Sequence, residues 1–128
     1  MNPLHKLHQA GQSLWLDNIT RALLDNGGLQ RYIDEFAITG LTSNPSIFHG
    51  AITGSDAYRA AIAASRAGNA EALFFELALD DLQRAADLFA PVHRSTRGVD
   101  GWVSLEVSPL LADEAPVLTR AQVRAELL

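Results

Sequence analysis

Cysteine is absent from this 128-residue chain. Disulfides, thiolate metal sites and a cysteine nucleophile are therefore excluded, and the composition fits a reducing compartment. Lysine is nearly absent as well, with Lys6 the only one. The other basic residues are arginines scattered along the chain, and the formal net charge is −5. Nucleic acid and anionic membrane surfaces are poor partners for such a chain. Residues 1–12 carry His5, Lys6 and His8 in a short amphipathic pattern with no apolar run. They read as neither a secretion signal nor a membrane span, so a cytoplasmic protein is expected. Internal repeats and low-complexity stretches are missing too. What is present is apolar: 48% of residues are hydrophobic, enough for a packed core and a single domain over residues 1–128.

Helical spacing and stop signals predict helices over 4–10, 20–25, 29–36, 45–52 and 56–67. The stops are Gly11, Asn26-Gly27-Gly28 and Gly68. A longer helix capped by Asn69 is expected to reach Phe89, with Pro91 just beyond it. Its apolar stripe is Phe74, Leu77, Ala78, Leu82, Ala85 and Phe89. The Asp80-Asp81 pair reads as a solvated face of that helix. Short apolar strands are predicted at 13–16, 37–42 and 102–107, and the tail from Thr119 is helix-prone. Strands alternating with helices imply a parallel sheet, hence an α/β fold.

The segment Gly40-Leu41-Thr42-Ser43-Asn44-Pro45-Ser46-Ile47-Phe48 is a strand end that spills into a helix beginning at Pro45. Ser43 or Asn44 can cap that helix. The uncharged trio Thr42, Ser43 and Asn44 also suits the hydroxyls or carbonyl of a sugar better than a phosphate or a metal. Side chains alternate along a strand. Val103, Leu105 and Val107 then share one face, and Ser104, Glu106 and Ser108 the other. Leu14 and Leu16 oppose Trp15 and Asp17, while Gly40, Thr42 and Asn44 share a parity. In an open sheet covered on both faces Glu106 would lie in oil. A barrel interior near the C-terminal mouth offers a polar alternative, and active sites of (β/α)8 barrels are built from such strand ends. Taken singly, Asp17 can be a helix cap and Glu106 the partner of an arginine. Together with Thr42 and Asn44 they make a candidate site. His5, His8, His49 and His93 lack the companions a metal would need, so no metal is expected.

Three blocks carry a resemblance. They are Ser13-Leu14-Trp15-Leu16-Asp17 with Ile19-Thr20-Arg21, the segment from Gly40 to Phe48, and Val99-Asp100-Gly101-Trp102-Val103-Ser104-Leu105-Glu106-Val107-Ser108-Pro109. In order and spacing the chain resembles the transaldolase family, in its longer bacterial branch, from Gly11 to Ala112. The resemblance implies an incomplete (β/α)8 TIM barrel, about the first three βα units behind an N-terminal helix, since a whole barrel needs about 250 residues. It also implies the activity: transfer of a dihydroxyacetone unit from sedoheptulose 7-phosphate to glyceraldehyde 3-phosphate in the pentose phosphate pathway. That transfer runs through a lysine Schiff base, without metal or organic cofactor. Asp17 matches the family's aspartate that takes and returns the hydroxyl proton. Glu106 matches its glutamate, which acts through a water. Thr42 and Asn44 match the pair that holds sugar hydroxyls. Sugar phosphates are the implied partners.

The family's Schiff-base lysine lies on the fourth strand, and no lysine follows Glu106 here. Past Leu111 the text, with Pro116, also departs from the family's pattern. The chain alone is therefore expected to be inactive and to self-associate through unpaired sheet edges. The alternative is a truncated, non-enzymatic fragment that folds partly or associates with a partner supplying the missing strands.

Overall fold

The computed structural model describes residues 2–106. Helix α1, Pro3–Gln9, starts where Asn2 accepts from the Leu4 N–H at 2.9 Å and Pro3 takes a position that needs no N–H. Strand β1, Leu14–Leu16, follows, then α2, Arg21–Asp25, capped by the Thr20 hydroxyl. Helix α3, Gly28–Phe36, leads into β2, Ile38–Ser43, and α4, Pro45–Thr53. A 3₁₀ turn, Asp56–Tyr58, and α5, Arg59–Ala64, precede the long α6, Ala70–Ser95. Strand β3 is Trp102–Leu105. Val107, Ser108, Pro109, Pro116 and the helix-prone tail of the sequence reading lie outside the described residues.

The three strands form one parallel sheet in the order β1-β2-β3. One face is covered by helices. Leu16, Leu41, Val103 and Leu105 pack there against Ile19, Leu24, Leu29, Phe48, Ala78, Ala85 and Phe89. Each large side chain so buried stabilises the fold by about 1.5–3 kcal/mol. Phe74 of α6 meets Phe48 of α4 edge-on, with centroids 6.2 Å apart. This is the opening of a (β/α)8 barrel, unclosed: among the described residues β1 and β3 each pair only with β2.

Three local readings need correction. Helix α6 does not stop before Pro91 but runs through it to Ser95. The proline forfeits one intrahelical bond. The last turn persists because Val92 packs on the core and the end is closed by Thr96 Oγ1 to Val92 O at 2.8 Å and Gly98 N to His93 O at 2.8 Å. The helix expected over 56–67 breaks into a 3₁₀ turn and α5. Ser65 is extended there, and its hydroxyl accepts from Ala67 N at 3.1 Å. Asp80-Asp81 is not a solvated face. Asp81 is fully buried, accepting from Arg21 Nε at 2.8 Å and from the Tyr58 hydroxyl at 2.6 Å. Only Asp80 is exposed, and it too reaches Arg21, at 3.0 Å.

Candidate active site

The register sets which side chains share the face that the described helices leave uncovered. Trp15 lies beside Gly40, Gly40 beside Trp102 and Thr42 beside Ser104. A register shift between Leu14 and Trp15 brings Trp15 opposite Gly40 rather than Thr39. That shift interrupts the alternation expected for Leu14, whereas Leu16 packs on the core as expected. Gly40 is needed at this crossing, since a Cβ there would overlap the fused ring of Trp15. On the same face Ser104 Oγ lies 3.1 Å from Thr42 Oγ1, a hydroxyl pair bridging β2 and β3. The sequence contained its signal, the shared parity of Ser104 and Glu106, but not the partner.

Asp17, Asn44 and Glu106 are each the first residue after a strand, following Leu16, Ser43 and Leu105. The three strands are parallel, so these residues and Thr42 come to the same, C-terminal end of the sheet. Glu106 N donates to Ser43 O at 2.9 Å, which carries the β2–β3 ladder one residue past the strands and sets Glu106 level with Asn44.

The simpler readings fare differently at the three positions. The cap of α2 is Thr20, whose hydroxyl accepts from Leu23 N at 3.0 Å, so Asp17 has no capping duty. Among the described residues Glu106 pairs with no arginine, and neither it nor Asp17 makes a side-chain hydrogen bond; both are exposed. Asn44 does cap α4: its Oδ1 accepts from Ile47 N at 2.9 Å. Ser43 is buried on the other face, donating to Ser104 O at 2.9 Å.

The β1–α2 segment that carries Asp17 is clamped from behind. Ile19 is fully buried, and Arg21 N donates to the Tyr58 hydroxyl at 3.1 Å. The Arg21 guanidinium lies 4.4 Å from the Tyr58 ring centroid while it reaches Asp81 and Asp80. Burial, reinforced by the hydrogen bond to Asp81 and its charge, pushes the Tyr58 phenol well above its usual range. None of these partners was legible as a site, because Arg21, Tyr58 and Asp81 are far apart in sequence.

Lys6 is exposed on α1. Asn2 Nδ2 donates to Glu35 O at 3.0 Å, at the end of α3 and beside the start of β2. That contact places α1 at the N-terminal end of the sheet, away from Asp17 and Glu106. Among the described residues no group of three or more His, Asp or Glu is placed to hold a metal ion, and no helix is long and apolar enough to cross a membrane.

Parallel strands in sequential order, helices on one face and polar residues at the carboxyl ends define the beginning of a barrel of the (β/α)8 class. Comparison with known proteins narrows the class. The profile described as Transaldolase/Fructose-6-phosphate aldolase matches residues 14–123, and the chain belongs to that family. A transaldolase of an Arthrobacter species is 46% identical over 123 residues, covering 94% of this chain and 33% of its own length. Transaldolases of Kocuria rhizophila and Thiobacillus denitrificans are each 43% identical, covering 88% of this chain and 31% and 32% of their own lengths. The chain thus spans about a third of the curated relatives it matches, in their N-terminal part.

Proposed function

We propose that this chain supplies the acid–base and hydroxyl-holding part of a transaldolase site. The observation that carries the reading is the arrival of two exposed carboxylates, Asp17 and Glu106, with Thr42 and Asn44 at the same ends of three adjacent parallel strands. In the reaction a ketose carbonyl becomes an imine on a lysine. Asp17 takes the proton from the hydroxyl on the outer carbon of the bond that breaks, the carbon that leaves as the aldehyde. Electrons from that C–C bond move to the protonated imine, which becomes a neutral enamine, and an aldehyde leaves. Addition to the acceptor aldehyde reverses the step, and Asp17 returns the proton. Glu106, through a water, moves the protons needed to expel and re-add water at the imine carbon. Thr42 and the Asn44 amide hold substrate hydroxyls. Positioned acids and bases of this kind contribute about 10²–10⁴ in rate. The donor is a ketose phosphate such as sedoheptulose 7-phosphate and the acceptor glyceraldehyde 3-phosphate, as in the pentose phosphate pathway.

The imine lysine belongs to strands beyond the third. Lys6 sits at the wrong end of the sheet, so the isolated chain should give no specific adduct in borohydride trapping with fructose 6-phosphate, read by mass spectrometry. The positive test is a chimera in which residues 1–106 replace the corresponding third of the Arthrobacter relative. The chimera should turn over. Asp17→Asn and Glu106→Gln should each lower kcat by at least 100-fold, about the smaller end of what a positioned acid or base supplies. Undiminished kcat in both variants would remove the proposed roles.

A further inference from the structure

We propose that Trp15 is the floor of the sugar site, an aromatic platform for the C–H face of an open-chain ketose; this rests on the function proposed above. Four observations converge on it. Trp15 lies on β1 two residues before Asp17, so strand alternation carried one residue past Leu16 sets their backbone positions about 6.6 Å apart on the same face. Its ring lies across Gly40, the one residue type that leaves the room, so the indole is held flat against β2 rather than standing in a gap. It remains 44% exposed although both neighbours on its strand are half-buried. Its Nε1–H makes no hydrogen bond among the described residues, which leaves a donor at the rim of the platform.

The surroundings suit a polyol. The Thr42–Ser104 hydroxyl pair flanks the same face one alternation nearer the mouth. A sugar chain alternates hydroxyls, which these groups and Asn44 can take, with C–H bonds, which need an apolar surface. A tryptophan face provides that surface and polarises weakly toward C–H groups. Inorganic phosphate has no such face and, among the described residues, finds no cation beside Trp15, so the platform selects for the carbon chain and not for the phosphate.

The test uses the 128-residue chain labelled with 5-fluorotryptophan, which carries two tryptophans, Trp15 and Trp102. Trp102 lies across Gly40 from Trp15 at the same level of the sheet; it is an internal control because its ring is tied down, with Nε1 donating to Gly98 O at 3.1 Å and the ring meeting His93 edge-on. Titration with fructose 6-phosphate should shift the Trp15 ¹⁹F resonance saturably and by more than that of Trp102, and inorganic phosphate should shift neither. Saturation-transfer NMR on the sugar protons reports binding independently. Trp15→Phe should retain binding within about threefold and Trp15→Ala should weaken it at least tenfold. Circular dichroism checks the fold, and Trp15→Leu replaces the alanine variant if that one unfolds. Sugar protons that receive saturation equally in parent, Trp15→Ala and Trp15→Leu, with an unmoved Trp15 resonance, would reduce Trp15 to a packing residue and leave the sugar site standing. Absence of saturation transfer in every protein would overturn the sugar site in this chain, and the platform with it.

Discussion

Replacing Asp81 by asparagine should be the most damaging conservative change in the described part of the chain. The Asp81 carboxylate is fully buried and bonds both Arg21 Nε and the Tyr58 hydroxyl, and the Arg21 side chain is only 9% exposed. Asp81→Asn keeps the shape and removes the charge, which leaves a nearly buried guanidinium with Asp80, itself 60% exposed, as its one counter-ion among the described residues. Removing one partner of a buried pair costs about 3–5 kcal/mol, a large share of the roughly 5–15 kcal/mol that holds a domain together. Tyr58→Phe removes the donor to Asp81 and the acceptor of Arg21 N, for about 1–3 kcal/mol. Asp80→Asn, at the exposed pair, should cost about 0–1 kcal/mol. The double change Arg21→Met with Asp81→Leu should cost less than the sum of the singles, because it leaves no orphan charge. Urea unfolding followed by far-UV circular dichroism, with hydrogen exchange along α6, gives the ranking. Where the loss exceeds the chain's whole stability, Asp81→Asn shows no cooperative transition while Asp80→Asn still does. Equal costs for the two asparagine variants, or an additive double change, would refute the claim that a desolvated pair ties α2 to α6.

Alkali should unfold the chain through Tyr58. Its folded pKa lies above the unfolded value of about 10, so above that pH the unfolded state has released a proton that the folded state still holds. Stability from this group is complete below pH 10 and then falls by at most about 1.4 kcal/mol per pH unit; Tyr58→Phe should flatten the slope in a pH series of urea midpoints. Gly101→Ala should destabilise by about 1–3 kcal/mol, since the position has φ +80° and a Cβ would overlap the His93 backbone; thermal melts that match the parent would contradict it. Strands β1 and β3, each with one neighbour among the described residues, should make the purified chain oligomerise or bind ANS, checked by light scattering and dye fluorescence; a clean monomer that ignores the dye would speak against open edges.

The strands were legible because alternation is a local rule that parallel pairing preserves. Leu41, Val103 and Leu105 face the helices, and Thr42 and Ser104 the other way, as parity requires. The order of elements followed from equally local chemistry, as did a cap for α4 at Ser43 or Asn44, a choice that falls to Asn44. The Arg21–Tyr58–Asp81 cluster was not legible. Its members are 37, 23 and 60 residues apart, and each alone resembles a surface residue. Pro91 misled for a related reason: the loss of one helical bond is a local penalty, while packing of Val92 and closure by Thr96 and Gly98 are tertiary gains. The register shift at Leu14 is likewise invisible until β2 lies alongside. Placement of Asp17 and Glu106 at one end of the sheet needed only the strand ends, which the sequence punctuates clearly.

Asn44 divides its amide between two tasks. Its oxygen is committed to the first turn of α4, accepting from Ile47 N, so the group that remains is the NH₂. In the proposed site the N–H groups are then the ones free to hold a substrate hydroxyl through its oxygen, without drawing a proton from it. Aspartate caps a helix as well as asparagine does, yet carries no N–H. Asn44→Asp would keep the helix start and convert the mouth's donor into a third negative group beside Asp17 and Glu106. Asparagine caps the helix and keeps N–H donors facing the proposed site, whereas aspartate would meet the folding demand alone.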